Sequence, residues 1–482
     1  MKIKDIIKGI DCQVQGSSEV EVKDLQFDSR AVTSGTLFVA QRGTKVDGHQ
    51  FIAQAAKAGA VAVVCEKVES GVSGVTFVVV KDSSKALGEM AANFYGHPSR
   101  GLRLIGITGT NGKTTTVTLL HRLFRQMGHH VGLVSTIVNK IDEEELPTGH
   151  TTPDALELNQ LLRRMVDAGC DYCFMEVSSH AVVQHRIAGV EFAGAIFSNI
   201  THDHLDFHKT MANYIAAKKG FFDGLPSTAW ALVNIDDKNG RVMVQNTRAK
   251  VSTYALNQKG DFHCKIIEEG FDGMHLSLNG KELWCRLVGR FNAYNLTAIY
   301  AAAVLCGADK DEVARLLSTL EPAPGRFQYV SGRGITAIVD YAHTPDALQN
   351  VIDTIDALRR PTQMLITVVG CGGDRDRTKR PEMAQIASKG SDKLVLTSDN
   401  PRTEKPDAIL DDMEAGLTPE QLSHTVRITD RRQAIRTACM MAREGDIILI
   451  AGKGHEKYQE VNGVRSHFDD VEEVERELKD KN

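Results

Sequence analysis

The chain has 482 residues, enough for about three domains at roughly 150 residues each. Its 57 basic and 62 acidic side chains leave a formal charge of −5, which argues against a dedicated nucleic-acid or membrane-surface binder. With 42% hydrophobic and 25% charged residues it reads as an ordinary globular sequence whose cores need no disulfide or metal staple.

The start, Met1 to Asp5, has no apolar stretch of the secretory kind, and no apolar run approaches the roughly 20 residues that span a bilayer. Nine cysteines scattered from Cys12 to Cys439 suit a reducing cytosol, so a cytoplasmic protein without membrane insertion is expected. Cys170 and Cys173 form a single C-x-x-C. Without a second pair they read as ordinary, partly buried thiols at the start of a strand.

The first block, residues 1–100, mixes short strands such as 74–80 with Ala-rich helix around Phe51 to Ala58, and closes on the Gly/Pro/Ser break from Gly96 to Gly101. The second, residues 101–325, opens with the strand from Leu102 to Ile107. A Gly-rich loop and an amphipathic helix from Thr114 to Met127 follow. Continuously apolar strands at 172–177, 193–200 and 229–235 point to a parallel sheet covered on both faces. Shorter alternating runs from Lys250 to Leu287 suggest a small β excursion, and Pro322 to Gly325 breaks the chain again. The third block, residues 326–482, alternates strand and helix, with strands at 336–339, 364–369, 393–396, 426–428 and 447–450. That alternation predicts a doubly wound sheet.

Each strand of the third block ends in a polar signature: Asp340 to His343, Gly370 to Arg375, Asp399 to Arg402, Asp430-Arg431 and Gly452 to Glu456. Ligands of open α/β sheets bind outside the carboxyl ends of strands, so these five signatures mark that edge as a binding face.

The sharpest local motif is Gly109-Thr110-Asn111-Gly112-Lys113-Thr114 between a strand and a helix. Backbone N–H groups there cradle phosphates, Lys113 neutralises them and the Thr114 hydroxyl can hold Mg²⁺. The strict spacing wants a glycine where Ile107 stands, so the loop is a variant. Glu176, at the end of a neighbouring strand, is the natural acidic partner for the metal, or else a structural strand-end carboxylate. The cluster His202, His204, Asp206, His208 nearly spells a metallo-hydrolase pattern, but Phe207 breaks the spacing. One metal-directed histidine is expected there, with the others as hydrogen-bonding loop residues.

With these strings in view the chain resembles the ATP-dependent Mur ligases of peptidoglycan synthesis, whose phosphate loop has the form T-G-T-N-G-K-T. The resemblance covers nearly the whole chain. It rests also on Asp28-Ser29-Arg30, Asp47-Gly48-His49, His150 to Pro153, Glu176 to His180, Gln184 to Arg186, Gly289 to Asn292, Pro324 to Arg326 and the strand-end signatures. It implies an α/β fold of three domains. These are a small UDP-sugar domain (1–100), a central P-loop ATPase-like parallel-sheet domain (101–325) and a C-terminal Rossmann-like doubly wound domain (326–482). The nearest branch adds meso-diaminopimelate to the D-Glu carboxylate of UDP-N-acetylmuramoyl-L-Ala-D-Glu, through an acyl phosphate and a tetrahedral intermediate.

The resemblance implies residue roles as well. Gly109 to Thr115, including Thr110, Asn111, Gly112, Lys113 and Thr114, would bind ATP with Asn292, Arg326, Asp340 and His343. Thr114, Glu176, His204 and a CO₂-carbamylated Lys218 would hold two Mg²⁺ ions. By its residues alone Lys218 is a helix-surface lysine beside Lys219. Ser29, Thr151, Thr152, Ser178, Gln184 and Arg186 would hold the nucleotide-sugar dipeptide. Arg375, Asp399, Asn400, Pro401, Arg402, Gly452 and Glu456 would select diaminopimelate. The arginines would face its distal carboxylate and Glu456 its distal ammonium. Asp399 to Arg402, taken alone, also fits a plain Asn-Pro turn. Partners are small molecules only, and a monomer is expected.

Three other readings compete. A lysine-adding or folylpolyglutamate-type ligase keeps the reaction but changes the substrate; the Arg402 string speaks against lysine, and the full first block against folate. A nucleotide-binding switch without ligase chemistry conflicts with the five strand ends. A zinc hydrolase rests only on the broken histidine pattern. The tail His467 to Asp470 departs from the family pattern and contributes no predicted site residue.

Overall fold

The computed structural model describes residues 1–43 and 46–479. Among these residues three large sheets follow one another along the chain. The first has five strands in the order Cys12–Gln15, Thr76–Val80, Ala62–Cys65, Thr36–Val39, Asp24–Gln26; all pairs are parallel except the first. Helix Ser83–Phe94 covers it, and its apolar face shares a core with Ala155 and Leu156 of helix Ala155–Asp167. The first block therefore docks on the second through a continuous apolar contact.

The central sheet has eleven strands. Its middle runs Val131–Val134, Tyr172–Glu176, Arg103–Thr108, Gly194–Phe197, Trp230–Asn234 and Lys250–Ala255, all parallel. Helices Lys113–Gln126 and Arg290–Leu305 bury their apolar sides on one face, and Ala155–Asp167 and Met211–Asp223 on the other. This two-sided cover explains why these strands read as unbroken apolar runs. The segment after Lys250 is not a separate excursion. Its strands Phe262–Gly270, Gly273–Leu278 and Lys281–Cys285 extend the same sheet, the last two antiparallel. The other edge carries a hairpin, Asn139–Ile141 and Glu144–Leu146, which apolar periodicity does not reveal because its strands are three residues long and largely polar.

The third sheet runs Gln328–Gly332, Ile335–Asp340, Ile447–Ala451, Leu365–Val369, Lys393–Leu396, Thr425–Arg427. Every pair is parallel except the first, and both faces are buried, so it is doubly wound. A two-stranded ribbon, Tyr458–Val461 with Val464–His467, stands beside its carboxyl edge. The parallel register brings the ends of the five strands onto one edge, which faces the phosphate loop of the central sheet.

Candidate active site

A cavity of about 1900 Å³ lies between the carboxyl edges of the central and third sheets, and a side lobe of about 360 Å³ opens beside the phosphate loop. The loop joins strand Arg103–Thr108 to helix Lys113–Gln126. Two of its glycines are required. A Cβ on Gly109 would stand 1.9 Å from the Ser198 hydroxyl, and Gly112 has φ +86 with the Asn295 side-chain oxygen 2.4 Å from where its Cβ would be. Neighbours brace the loop: Asn111 N–H donates to Asn199 Oδ1 at 2.9 Å, and Ser198 Oγ donates to the Asn111 carbonyl at 2.7 Å. Thr110 Oγ1 meets the Tyr214 hydroxyl at 3.1 Å.

Two lysines converge on this loop, Lys113 half-buried and Lys218 buried. Lys113 Nζ donates to the carbonyls of Gly109 (3.0 Å) and Thr110 (2.9 Å), and Lys218 Nζ donates to the same Gly109 carbonyl at 2.8 Å. Neither has a carboxylate within 4 Å among the described residues. Burial lowers both lysines, and the neighbouring Lys113 charge pushes Lys218 down further. Lys218 is 1% exposed, so its reading as a surface lysine is overturned. Helix Met211–Asp223 turns it inward with Tyr214, whose ring lies 4.7 Å from Nζ.

Glu176 is buried at its strand end, accepting from the Thr136 N–H at 2.8 Å and the Thr136 hydroxyl at 3.2 Å. His204 borders the cavity; burial pulls its imidazole down, against the pull of Asp203, whose carboxylate is 3.3 Å away. His208 Nε2 instead meets Ser179 Oγ at 2.9 Å, and His202 Nε2 is buried without a hydrogen bond. Among the described residues no three His, Cys, Asp or Glu groups gather into a closed metal cage. One carboxylate, one hydroxyl and one imidazole around an open cavity fit Mg²⁺, which takes its remaining ligands from water and phosphate, better than a closed zinc site. Cys170 and Cys173 are both buried, more deeply than expected.

Arg326 links the two sheets: Nη2 donates to Thr114 Oγ1 at 3.2 Å, and its guanidinium carbon lies 4.6 Å over the Tyr341 ring. Its Nε is buried with no partner, an unused donor. His343 borders both the main cavity and the lobe. Thr115 does the same, and Asp340 borders the lobe. Asp340 accepts from the Phe327 N–H at 2.7 Å, and burial raises its carboxyl. Asn292 borders neither space. Its amide donates to the Val288 carbonyl at 2.7 Å, and Asn295, one turn on, faces the lobe instead.

The third sheet contributes four strand ends. Arg375 lies exposed at the rim, and Arg402 Nη1 donates to the Gly373 carbonyl at 2.7 Å. Arg402 has φ +52; the ribbon holds that strained backbone through the Glu460 carbonyl (3.0 Å) and the Asn462 N–H (2.6 Å). Asn400 Nδ2 donates to Glu456 Oε2 at 2.7 Å. Asp399 and Gly452 line the same wall, while Pro401 is buried behind it. The fifth signature departs from expectation. Asp430 caps helix Arg431–Met441, and Arg431 is buried in a two-pronged pair with Asp470 (2.7 and 2.8 Å), so this strand end is structural.

Thr151 and Ser178 border the cavity. Thr152, Gln184 and Arg186 stand behind it: Arg186 donates to Gln184 Oε1 and to the Thr152 carbonyl. Ser29 sits in the turn Ser29–Ala31, where the Asp28 side chain accepts from the Arg30 N–H, away from both spaces. Sequence reasoning missed Asp203, Lys379 and Lys453. Asp203 and Lys379 line the cavity. Asp203 hides among histidines and Lys453 between Gly452 and Gly454, while Lys379 opens helix Lys379–Lys389, beyond the strand-end signature.

Three family models match along the chain: Mur ligase family, catalytic domain, over residues 21–95; Mur ligase middle domain over 107–303; and Mur ligase, glutamate ligase domain, over 325–454. The chain belongs to the Mur ligase family. Among its relatives within that family, the UDP-N-acetylmuramoyl-L-alanyl-D-glutamate–2,6-diaminopimelate ligase of Parabacteroides distasonis is 55% identical over 477 residues, 98% of each chain. The enzyme of the same name from Cytophaga hutchinsonii is 56% identical over 474 residues, 98% of this chain and 97% of its own. A solved structure of a ligase of that name matches with TM-score 0.71 at 35% identity, over 99% of this chain and 98% of the other. The MurF ligase of Thermotoga maritima in complex with ADP shares the fold, with TM-score 0.65 at 19% identity, over 95% of this chain and 98% of the other. No helix among the described residues is long and apolar enough to cross a membrane.

Proposed function

We propose that this Mur ligase adds meso-2,6-diaminopimelate to the D-Glu carboxylate of UDP-N-acetylmuramoyl-L-Ala-D-Glu, with conversion of ATP to ADP and phosphate. The observation that carries the reading is one cavity bordered on one side by the phosphate loop and on the other by Arg375, Asn400, Arg402 and Glu456. A site for an anionic phosphoryl donor and a site for a doubly charged amino acid then share one space. The relatives named above support the choice of amino acid.

The D-Glu carboxylate oxygen attacks the γ-phosphorus of ATP, giving an acyl phosphate and ADP. The substrate amine attacks the acyl carbon, and the tetrahedral intermediate expels phosphate. No enzyme nucleophile is required, so the protein acts by positioning and by charge. The loop amides and Lys113 receive the triphosphate, for which Lys113 exchanges its backbone carbonyls for phosphate oxygens. Arg326, with its unused Nε, adds a cation from the third sheet. Mg²⁺, when bound, neutralises phosphate charge; Thr114, Glu176 and His204 would hold it. Burial favours the uncharged Lys218 amine that addition of CO₂ requires, which supports a carbamate there and a second metal ion.

The reading assigns residues 1–100 to the nucleotide-sugar, 101–325 to ATP chemistry and 326–482 to the amino acid. It puts the reaction in the cytoplasm, where ATP and nucleotide-sugars are available, and one chain supplies every site residue, as a monomer requires. The test is amino-acid-dependent phosphate release from enzyme, ATP, Mg²⁺ and the UDP-muramoyl dipeptide. Release that does not depend on the amino acid would remove the ligase assignment.

A further inference from the structure

Lys453 follows strand Ile447–Ala451 and is fully buried, yet it does not border the cavity. It stands behind the wall that Asp399, Asn400 and Glu456 present. Its Nζ lies 3.0 Å from Asn400 Oδ1, 3.4 Å from Asp399 Oδ1 and 3.5 Å from Glu456 Oε2. The Tyr458 ring closes the far side at 5.5 Å.

Two carboxylates on one wall repel each other at a cost that burial increases, and a cation held between them relieves it. Asn400 adds a directional constraint. Its Oδ1 accepts from Lys453 and from the Glu460 N–H at 2.9 Å, which leaves its N–H₂ facing Glu456.

We propose that Lys453 is a positioning residue for the incoming amino acid: from behind the wall it balances the charges of Asp399 and Glu456 and holds Asn400 in one orientation, so that the cavity offers an anionic face to a substrate ammonium. This rests on the reading that the amino acid binds at these strand ends. Lys453 then sets preference for a substrate carrying a second amino group without touching it. The groups facing Glu456 agree with that role. Its carboxyl stands above the ordinary value, raised by burial and by Asp399, and Lys453, Asn400 and Arg402 limit that rise; the Tyr341 hydroxyl approaches Oε1 at 3.4 Å.

The experiment compares phosphate release by the wild-type enzyme, K453M, E456Q and the double variant, with meso-diaminopimelate and ATP varied separately across pH. K453M is expected to raise KM for diaminopimelate by about 100-fold, as loss of one partner of a buried charge group implies. KM for ATP should stay within about two-fold, and the acid limb of kcat/KM for diaminopimelate should move to higher pH as Glu456 protonates sooner. In the E456Q background the same substitution should add less than about three-fold, because the charge it serves is gone. Equal losses for both substrates, an unmoved acid limb, or the full loss recurring in E456Q would overturn the proposal. Failure of K453M to fold even in the E456Q background would make the lysine structural and overturn it too. A wild-type enzyme that releases no phosphate with diaminopimelate would instead overturn the functional reading beneath it.

Discussion

The two ends of the cavity treat lysine in opposite ways. At the phosphate loop, Lys113 and Lys218 rest on backbone carbonyls and have no carboxylate within 4 Å among the described residues. At the third-sheet wall, Lys453 is neutralised in advance by Asp399 and Glu456. Without a carboxylate partner, Lys113 leaves positive potential for phosphate at the first end, and burial holds Lys218 low. The pre-paired cation at the second end is spent on holding carboxylates, so that wall can attract an ammonium. Sign of charge alone does not distinguish these sites; what each lysine faces does.

The largest effect should come from the unpaired end. Lys113→Ala should lower kcat for phosphate release by about 10²–10³-fold, since a preorganised charge at the phosphoryl group is removed. A loss below ten-fold would mean that the loop amides suffice. Lys218→Ala should cost about 100-fold, with partial recovery on adding acetate or formate, measured by the same assay. Full activity without additive would remove its proposed role. At the paired end, Arg402→Ala should raise KM for diaminopimelate by about 30-fold while leaving KM for ATP within about two-fold, the size of one charged hydrogen-bonded contact. Equal shifts in both would erase the division between the ends.

The smallest effect concerns burial on the phosphate-loop helix. His121 lies buried against the Asp142 carbonyl at 3.1 Å, and burial lowers its imidazole to about 4. Between pH 6.5 and 4 the unfolded chain binds a proton that the folded chain does not, so stability falls as pH falls through that window. His121→Gln should therefore shrink the loss of Tm between pH 7 and pH 5 by about 2 °C. An unchanged loss would mean that His121 is not a source of acid sensitivity.

How much of this was legible in the sequence follows the same divide. The phosphate-loop motif is six consecutive residues, Gly109 to Thr114, where a strand passes into a helix, so its role can be read in one line. The four strand-end signatures were legible because parallel strands carry their carboxyl ends to one edge whatever the side chains. Asp430-Arg431 looked alike, but its fate depended on Asp470, forty residues on, which no local pattern announces. Lys218 was misread because burial is a tertiary property, and the helix around it shows little amphipathic contrast, with Lys219 beside it facing solvent-side Asp223. Lys453 escaped because a lysine between two glycines has no signature of its own; only the meeting of two strand ends gives it partners. Asn292 and Asn295 lie one helical turn apart, and only the packing against Gly112 decides which of them faces the lobe.

The central claim is that one cavity joins an ATP-activated carboxylate to an amino acid recognised by its distal carboxylate and ammonium. The most direct test supplies the enzyme with ATP, Mg²⁺, the UDP-muramoyl dipeptide and equimolar meso-diaminopimelate and L-lysine, and weighs the product by mass spectrometry. The account predicts the diaminopimelate adduct almost alone, with one phosphate released per adduct. A product dominated by lysine would contradict it.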